Sequence, residues 1–441
     1  TFIVVFNLLL RSRPQFSLSF SAAIVQQSPP SLISMAGGMP NVNTFPLVEG
    51  SFKLKDGTEI VIDKKSMKQA LQYSATQGIP ELLSFVYKLQ FRIHDPPTYN
   101  NINHPGQMEC IITNGSQDGL CKVFEAITNE GDNILLEHPC YSGTLAIARP
   151  LTKNIIPVRS DMDGLDPDHL EEILSKWSPS DVKDPESSIP KFLYCIPNGG
   201  NPTGSGLTLE RKKRIYDIAR KYDLLILEDD PYFFIQFNKP YVPSLLSMDE
   251  DGRVIRFDSF SKLLSSGMRV GFVSGPRPII DRVALHMQCS GMHTSGMSQV
   301  TLSKILEHWG HDGFLKHAEK TSEFYLKRRE SCLAAAEKHL KGLAEWTIPS
   351  GGMFLWIKLN IEDTFQLITV KARAKNILFV PGNAFLINED ESCPYIRASY
   401  SSCTEEEMDV VRLPLFIGLQ RNSIETMSLC LYVHLSVHDV K

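Results

Sequence analysis

The sequence predicts an α/β protein: a parallel-rich sheet covered on both faces, followed by a smaller α/β domain. Three observations carry this. From about Gln107 to Gly275, short wholly apolar runs alternate with amphipathic helical stretches. The residues directly after each apolar run are polar and turn-forming. From about Trp309 the pattern changes to long helical segments and one more apolar run, Met353-Phe354-Leu355-Trp356-Ile357.

The elements follow in order. Ser28-Pro29-Pro30 marks a first boundary, and Ala36-Gly37-Gly38-Met39-Pro40 forms a glycine-rich turn. Cys110-Ile111-Ile112-Thr113 reads as a buried strand. Ser116 then reads as the N-cap of a helix with Leu120, Val123, Phe124 and Ile127 on one face. Asn133-Ile134-Leu135-Leu136 and Phe192-Leu193-Tyr194-Cys195-Ile196 are the next strands. Thr208 caps a helix with Ile215, Ile218, Ala219 and Tyr222 on its apolar face. Leu224 to Leu227, Val254 to Phe257 and Val270 to Val273 complete six strands. Thr404 and Glu407 form a capping box for a final helix, which Pro414 should break.

Composition narrows the function classes. The 441 residues are 42% hydrophobic and 22% charged, which excludes a disordered, collagen-like or coiled-coil chain. The net charge of -5 lacks the basic footprint of a nucleic-acid binder. Nine cysteines contain no C-x-x-C pair, so free thiols in a reducing compartment are expected, with no disulfide framework and no metal site. No apolar run reaches the roughly 18 residues of a membrane-spanning helix. The first 30 residues are apolar, then arginine- and serine-bearing, and no acid precedes Glu49. They read as a mitochondrial transit peptide or as sequence foreign to the fold.

In open α/β sheets, ligands bind beyond the carboxyl ends of the strands. Those positions hold Asn114-Gly115-Ser116-Gln117, Glu137-His138-Pro139-Cys140-Tyr141, Asn198-Gly199-Gly200-Asn201-Pro202-Thr203-Gly204, Glu228-Asp229-Asp230-Pro231-Tyr232 and Asp258-Ser259-Phe260-Ser261-Lys262. Together they supply an anion cradle at a helix start, an aromatic ring, a carboxylate, phenols and one lysine.

Ser259-Phe260-Ser261-Lys262, with Gly267-Met268-Arg269 seven residues past the lysine, resembles the Schiff-base motif of the class I aminotransferases. Asn201-Pro202-Thr203-Gly204 and Asp229-x-x-Tyr232 stand at that family's order and spacing. The resemblance runs from Ser31 to Arg412. It is sharpened by Ser34 to Asn41, Ala70 to Ser74, Tyr141 to Thr144, Leu227 to Tyr232, Gly351 to Trp356 and Pro381 to Phe385. These match the branch that acts on L-2-aminoadipate and L-kynurenine.

The resemblance implies a fold type I transferase using pyridoxal 5′-phosphate, with a mostly parallel seven-stranded sheet in a large domain and a smaller α/β domain. The implied division is leader 1–30, N-terminal segment 31–60, large domain 61–315, small domain 316–416 and an unmatched tail 417–441. Lys262 would hold the cofactor as an internal aldimine and move a proton from the substrate Cα. Asp229 would keep the pyridine nitrogen protonated. Tyr232 and Asn201 would bond the phenolic oxygen, and Tyr141 would stack on the ring. Ser116, Gln117, Ser259, Ser261 and Arg269 would hold the phosphate.

Arg397 would fork onto the substrate carboxylate, with Gly38, Tyr73, Tyr141 and Asn201 also facing substrate. Tyr73 would reach the partner's site in a homodimer. The implied reaction moves an amino group to 2-oxoglutarate in the mitochondrial matrix, with the cytoplasm as the alternative. The implied setting is lysine and tryptophan degradation.

One departure bears on specificity. The family's arginine that contacts the distal end of the substrate falls near Ser19 by offset, and no arginine stands there. Other readings remain at this stage. A broad-specificity or aromatic aminotransferase of the same fold is one, and a non-catalytic effector-binding module is another. Ser259-x-x-Lys262 as an acyl-transfer site lacks the K-T-G or K-S-G tripeptide that reading needs.

Overall fold

The computed structural model describes residues 38–99, 104–184 and 186–410. The leader, the position near Ser19, Arg412, Pro414 and the tail lie outside the described residues. The first described strands form an antiparallel ribbon, β1 (Gly50–Lys53) and β2 (Glu59–Ile62). Helices α1 (Lys64–Leu71) and α2 (Pro80–His94) precede β3 (Met108–Thr113) and α3 (Ser116–Ile127). Next come β4 (Ile134–His138), α4 (Ser142–Leu151), β5 (Ile155–Asp161), β6 (Gly164–Leu165) and α5 (Pro167–Leu174). They are followed by β7 (Phe192–Cys195), α6 (Leu209–Lys221), β8 (Leu225–Asp229), β9 (Val254–Ser259), β10 (Gly271–Pro276) and α7 (Arg277–Ser290).

The main sheet has the order β3-β10-β9-β8-β7-β4-β5-β6. Strands β9, β8, β7, β4 and β5 run parallel, and β10 is antiparallel to both its neighbours. Seven strands form the expected sheet, and the two-residue β6 adds an antiparallel edge to β5. Every residue of β7 and β8 is buried, which is why these strands read as continuous apolar runs. Strand β5 is only partly buried: Val158 is buried, Ile155 and Ile156 are half-buried, and Pro157, Arg159 and Asp161 are exposed. Pro157 interrupts its apolar stretch and its set of ladder donors, so the strand is hard to read from the sequence.

Helix α8 (Gly296–Leu340) is broken at Gly310, where φ 60 and ψ −176 leave the helical region. Its far end packs in a second apolar core with β11 (Ala344–Trp346), β12 (Phe354–Leu359) and β14 (Tyr395–Ser399), and β13 (Val380–Pro381) pairs with β14. Those strands form a separate four-stranded antiparallel sheet, ordered β11-β12-β14-β13. Helix α9 (Glu405–Val410) starts on the expected box: Thr404 N donates to Glu407 Oε2 at 2.7 Å and Glu407 N to Thr404 Oγ1 at 3.1 Å. Thr208 Oγ1 accepts from Arg211 N at 3.2 Å, so that cap also stands.

One cap differs from expectation. Gly115, at φ 84, is the N-cap of α3, and Ser116 is the first helical residue. Glycine is required at that cap, because its φ is left-handed and a Cβ there would run into the Arg269 guanidinium. Eight of the nine cysteines are described, and all eight are free thiols. Among the described residues no helix is long and apolar enough to cross a membrane.

Candidate active site

The parallel strands end on one edge of the sheet, and the chemistry-bearing residues follow those ends. Asp229 closes β8 and is 3% exposed. Tyr194 Oη, from the neighbouring β7, donates to Asp229 Oδ2 at 2.7 Å. Oδ1 of the same carboxylate is buried and has no hydrogen-bond partner. Burial raises the Asp229 pKa to about 7; the Tyr194 hydrogen bond works against this, and the neighbouring Asp230 charge adds to it.

Strand alternation puts Asp230 and Glu228 on the other side of β8. There they meet Arg256, which is fully buried. Arg256 Nη1 lies 2.9 Å from Asp230 and 3.3 Å from Glu228, and its Nε and Nη2 each lie 3.0 Å from Asp258. This ionic knot ties the end of β8 to the end of β9, directly before Ser259.

Lys262 ends a short turn, Phe260–Lys262, that Ser259 caps by accepting from Ser261 N at 3.2 Å. Burial and the nearby Arg269 and Arg397 charges lower the Lys262 pKa, while Asp229 opposes them. Arg269 adopts φ 52, a left-handed conformation costing a non-glycine residue about 1 kcal/mol. Its guanidinium is held by Ser266 O at 3.2 Å, Asn114 O at 3.3 Å and Ser261 Oγ at 3.4 Å. It therefore lies against Gly115 at the N-terminus of α3, beside Ser116 and Gln117. Asp118 in that first turn is occupied by Asn114 N and Lys122.

Gln117 Nε2 donates to Gly143 O at 3.1 Å, joining α3 to α4. Tyr141 precedes α4, and a Cβ on Gly143 would fall 2.5 Å from its ring. Tyr232 is buried and edge-on to Phe354, with ring centroids 6.0 Å apart. Burial, and then Asp229, raise the pKa of both phenols.

Arg397, on β14, donates from Nη1 to Asn201 Oδ1 at 2.7 Å. Its guanidinium lies 4.4 Å from the Phe354 ring and 4.9 Å from the Phe385 ring, and its Nε is buried without a partner. Asn201 precedes a cis peptide bond to Pro202. Gly199 and Gly352, both at positive φ, bring this loop against the start of β12.

Ten predicted positions thus lie along one sheet edge: Ser116, Gln117, Tyr141, Asn201, Asp229, Tyr232, Ser259, Ser261, Lys262 and Arg269; an eleventh, Arg397, meets them from the small sheet through Asn201. Two do not join them within the chain. Tyr73 is exposed, its ring edge-on to His293 at 6.0 Å. Gly38 is exposed with open space where a Cβ would be. Tyr194 was not singled out in the sequence, because a tyrosine inside an apolar run reads as packing.

Pyridoxal phosphate suits this donor set. The orphaned Asp229 Oδ1 offers an acceptor for a pyridine N–H. The α3 N-terminus with Arg269 offers donors for a phosphate.

The profile of the family "Aminotransferase class I and II" matches residues 41–412. The chain is 52% identical over 400 residues to the mitochondrial kynurenine/alpha-aminoadipate aminotransferase of Bos taurus, covering 90% of this chain and 94% of that one. The fold superposes on aminotransferase Aro8 of Candida albicans with TM-score 0.82, at 26% identity, over 94% of this chain and 97% of that one. It also superposes on LysN, the alpha-aminoadipate aminotransferase of Thermus thermophilus, solved with N-(5'-phosphopyridoxyl)-L-leucine, with TM-score 0.71 at 29% identity. That match covers 81% of this chain and 86% of LysN. The chain is therefore a member of the class I and II aminotransferase family, with pyridoxal 5′-phosphate as its cofactor.

Proposed function

We propose that this aminotransferase moves the amino group of L-2-aminoadipate or L-kynurenine to 2-oxoglutarate in two half-reactions. The carrying observation is the 52% identity to the bovine kynurenine/alpha-aminoadipate enzyme across nearly the whole of both chains. The site chemistry supports it. Bound at the strand ends, pyridoxal phosphate supplies an electron sink for the pair left on the substrate Cα when its proton departs.

The chain's own residues do the rest. Ser116, Gln117, Ser259, Ser261 and Arg269 would hold the phosphate, and Asp229 would accept from the ring nitrogen. Tyr232 and Asn201 would bond the phenolic oxygen, and Tyr141 would cover one ring face. Lys262, whose lowered pKa favours the free amine, would hold the cofactor and, once freed, move the proton at the substrate Cα. Arg397 receives the α-carboxylate, to which its unpartnered Nε is an available donor.

We further propose a homodimer in which the exposed Tyr73 completes the partner's site, with Gly38 beside the substrate. The matching relative's name supports a mitochondrial location, here the matrix, and a role in lysine and tryptophan degradation. Aromatic amino acids are the second class of donor. A Dictyostelium discoideum aromatic amino acid aminotransferase is 34% identical over 393 residues.

The decisive assay compares aminoadipate, kynurenine and phenylalanine as donors with 2-oxoglutarate. Turnover of the first two above phenylalanine is expected. A folded protein active on neither would refute the substrate assignment. Borohydride treatment of the loaded protein should fix the cofactor on Lys262, and labelling of another lysine would refute its role.

A further inference from the structure

Tyr194 is fully buried in β7, its ring edge-on to Phe124 at 6.0 Å. In the β7–β8 register it pairs with Leu227, two residues before Asp229. The two side chains share a sheet face, about 6.6 Å apart along the strand. A tyrosine's reach spans that gap, and its phenol donates to Asp229 Oδ2 at 2.7 Å. The buried Thr144 hydroxyl lies beside the same phenol. Oδ1 is left as the carboxylate's one buried, unpartnered oxygen.

The surroundings make this bond consequential. Burial and the Asp230 and Asp258 charges disfavour an ionised Asp229, and the Tyr194 hydrogen bond is the largest opposing influence, ahead of Arg256. Removing the phenol would leave a carboxyl biased toward its neutral form and free to rotate.

We propose that Tyr194 is a positioning residue of this active site: its phenol anchors Oδ2 of the Asp229 carboxylate and turns it so that Oδ1 stays free to accept from a protonated pyridine nitrogen. The proposal rests on the reading of Asp229 as the ring-nitrogen partner.

The test measures dissociation constants on the full chain freed of cofactor. The ligands are pyridoxal phosphate and its analogue with carbon in place of the ring nitrogen. The wild type should prefer pyridoxal phosphate. Tyr194→Phe should lose about tenfold or more of that preference, the worth of one hydrogen bond to a charged group, with little change toward the analogue. Equal weakening toward both ligands would overturn the proposal and leave Tyr194 a packing residue.

Tyr194→His places ring nitrogens short of the phenol oxygen and serves if the phenylalanine variant fails to fold. It too should lose the preference, and a wild-type preference would overturn the proposal. Asp229→Asn separates the two failures. An unchanged preference there refutes the Asp229 reading itself, whereas a lost preference there with an intact one in Tyr194→Phe refutes only the role of Tyr194.

Discussion

Arg397 Nη1 donates to Asn201 Oδ1 across 2.7 Å, joining a strand of the small sheet to the loop that follows a strand of the large one. The bond fixes one arm of the guanidinium, and the Phe354 and Phe385 rings fix its position further. Nε is buried and keeps no partner within the chain. Lysine has one charge centre and no fork, so it could serve Asn201 or a carboxylate in this geometry but not both.

Arg397→Lys should therefore fold normally and bind cofactor normally while kcat/KM for the amino donor drops about 10- to 100-fold, with most of the change in KM. That is the worth of one charge-assisted hydrogen bond, ~1.5–3 kcal/mol. Asn201→Ala combined with Arg397→Lys should cost less than the sum of the two single changes, because both disturb one bond. Steady-state kinetics of the four proteins check this, and additive losses would show that the pair does not act together.

The raised pKa of Asp229 makes a stability prediction with a definite sign. A carboxyl whose folded pKa is about 7, against an ordinary 3.8, binds more protons folded than unfolded. Its contribution is thus present at and below about pH 4 and is lost as pH rises toward and through 7. The size is on the order of a few kcal/mol. Asparagine cannot ionise, so cofactor-free Asp229→Asn should lose less stability than the wild type between about pH 5 and about pH 8. Urea midpoints at the two pH values measure it, and parallel losses would contradict the buried, proton-binding carboxyl. The same variant should have almost no transaminase turnover.

Gly143 explains how Tyr141 keeps its place. A Cβ there would sit 2.5 Å from the Tyr141 ring carbons Cε1 and Cζ, so alanine must displace the ring. Alanine also favours the helix that begins at Ser142, so the fold should not suffer. Gly143→Ala should leave the melting temperature unchanged or higher while weakening cofactor binding several-fold to about tenfold, the ~0.5–1.5 kcal/mol of an aromatic stacking pair. Fluorescence titration of the cofactor-free chain with pyridoxal phosphate checks this, and unchanged affinity would remove Tyr141 from the ring face.

The sequence revealed most where residues are buried on both faces or stand in loops after strands. Strand β7 and the start of β8 are apolar runs because both faces are covered, and Asn201 after β7, Asp229 at the end of β8 and Lys262 after β9 stand in readable motifs. Strand β5 escapes notice because Pro157 interrupts its short apolar stretch, Ile155, Ile156 and Val158, and polar residues finish it. The cap of α3 was misplaced by one residue because the deciding neighbour, Arg269, is distant in sequence. Tyr194 and Arg256 were hidden for a related reason. Inside a strand, a polar residue declares itself only through partners on adjacent strands, and those partners are set by register.

Arg256 carries the last prediction. Fully buried, it is the shared cation for Glu228, Asp230 and Asp258, and burial already pushes the Asp258 carboxyl up to about 6 against this cation's pull. Methionine would fill similar space but leave the carboxyls without their counter-charge. Removing one partner of a buried ion pair costs about 3–5 kcal/mol. The loss must depend on pH, because without Arg256 the carboxyls take up protons at higher pH, and a protonated carboxyl costs little to bury. Arg256→Met should therefore be destabilised more at about pH 8 than at about pH 5, as read from urea midpoints. Adding Asp258→Asn, which removes one of the stranded charges, should recover part of the loss at the higher pH. A loss equal at both pH values would mean that Arg256 acts through its packing over Phe233, 5.0 Å from its guanidinium carbon, rather than through charge.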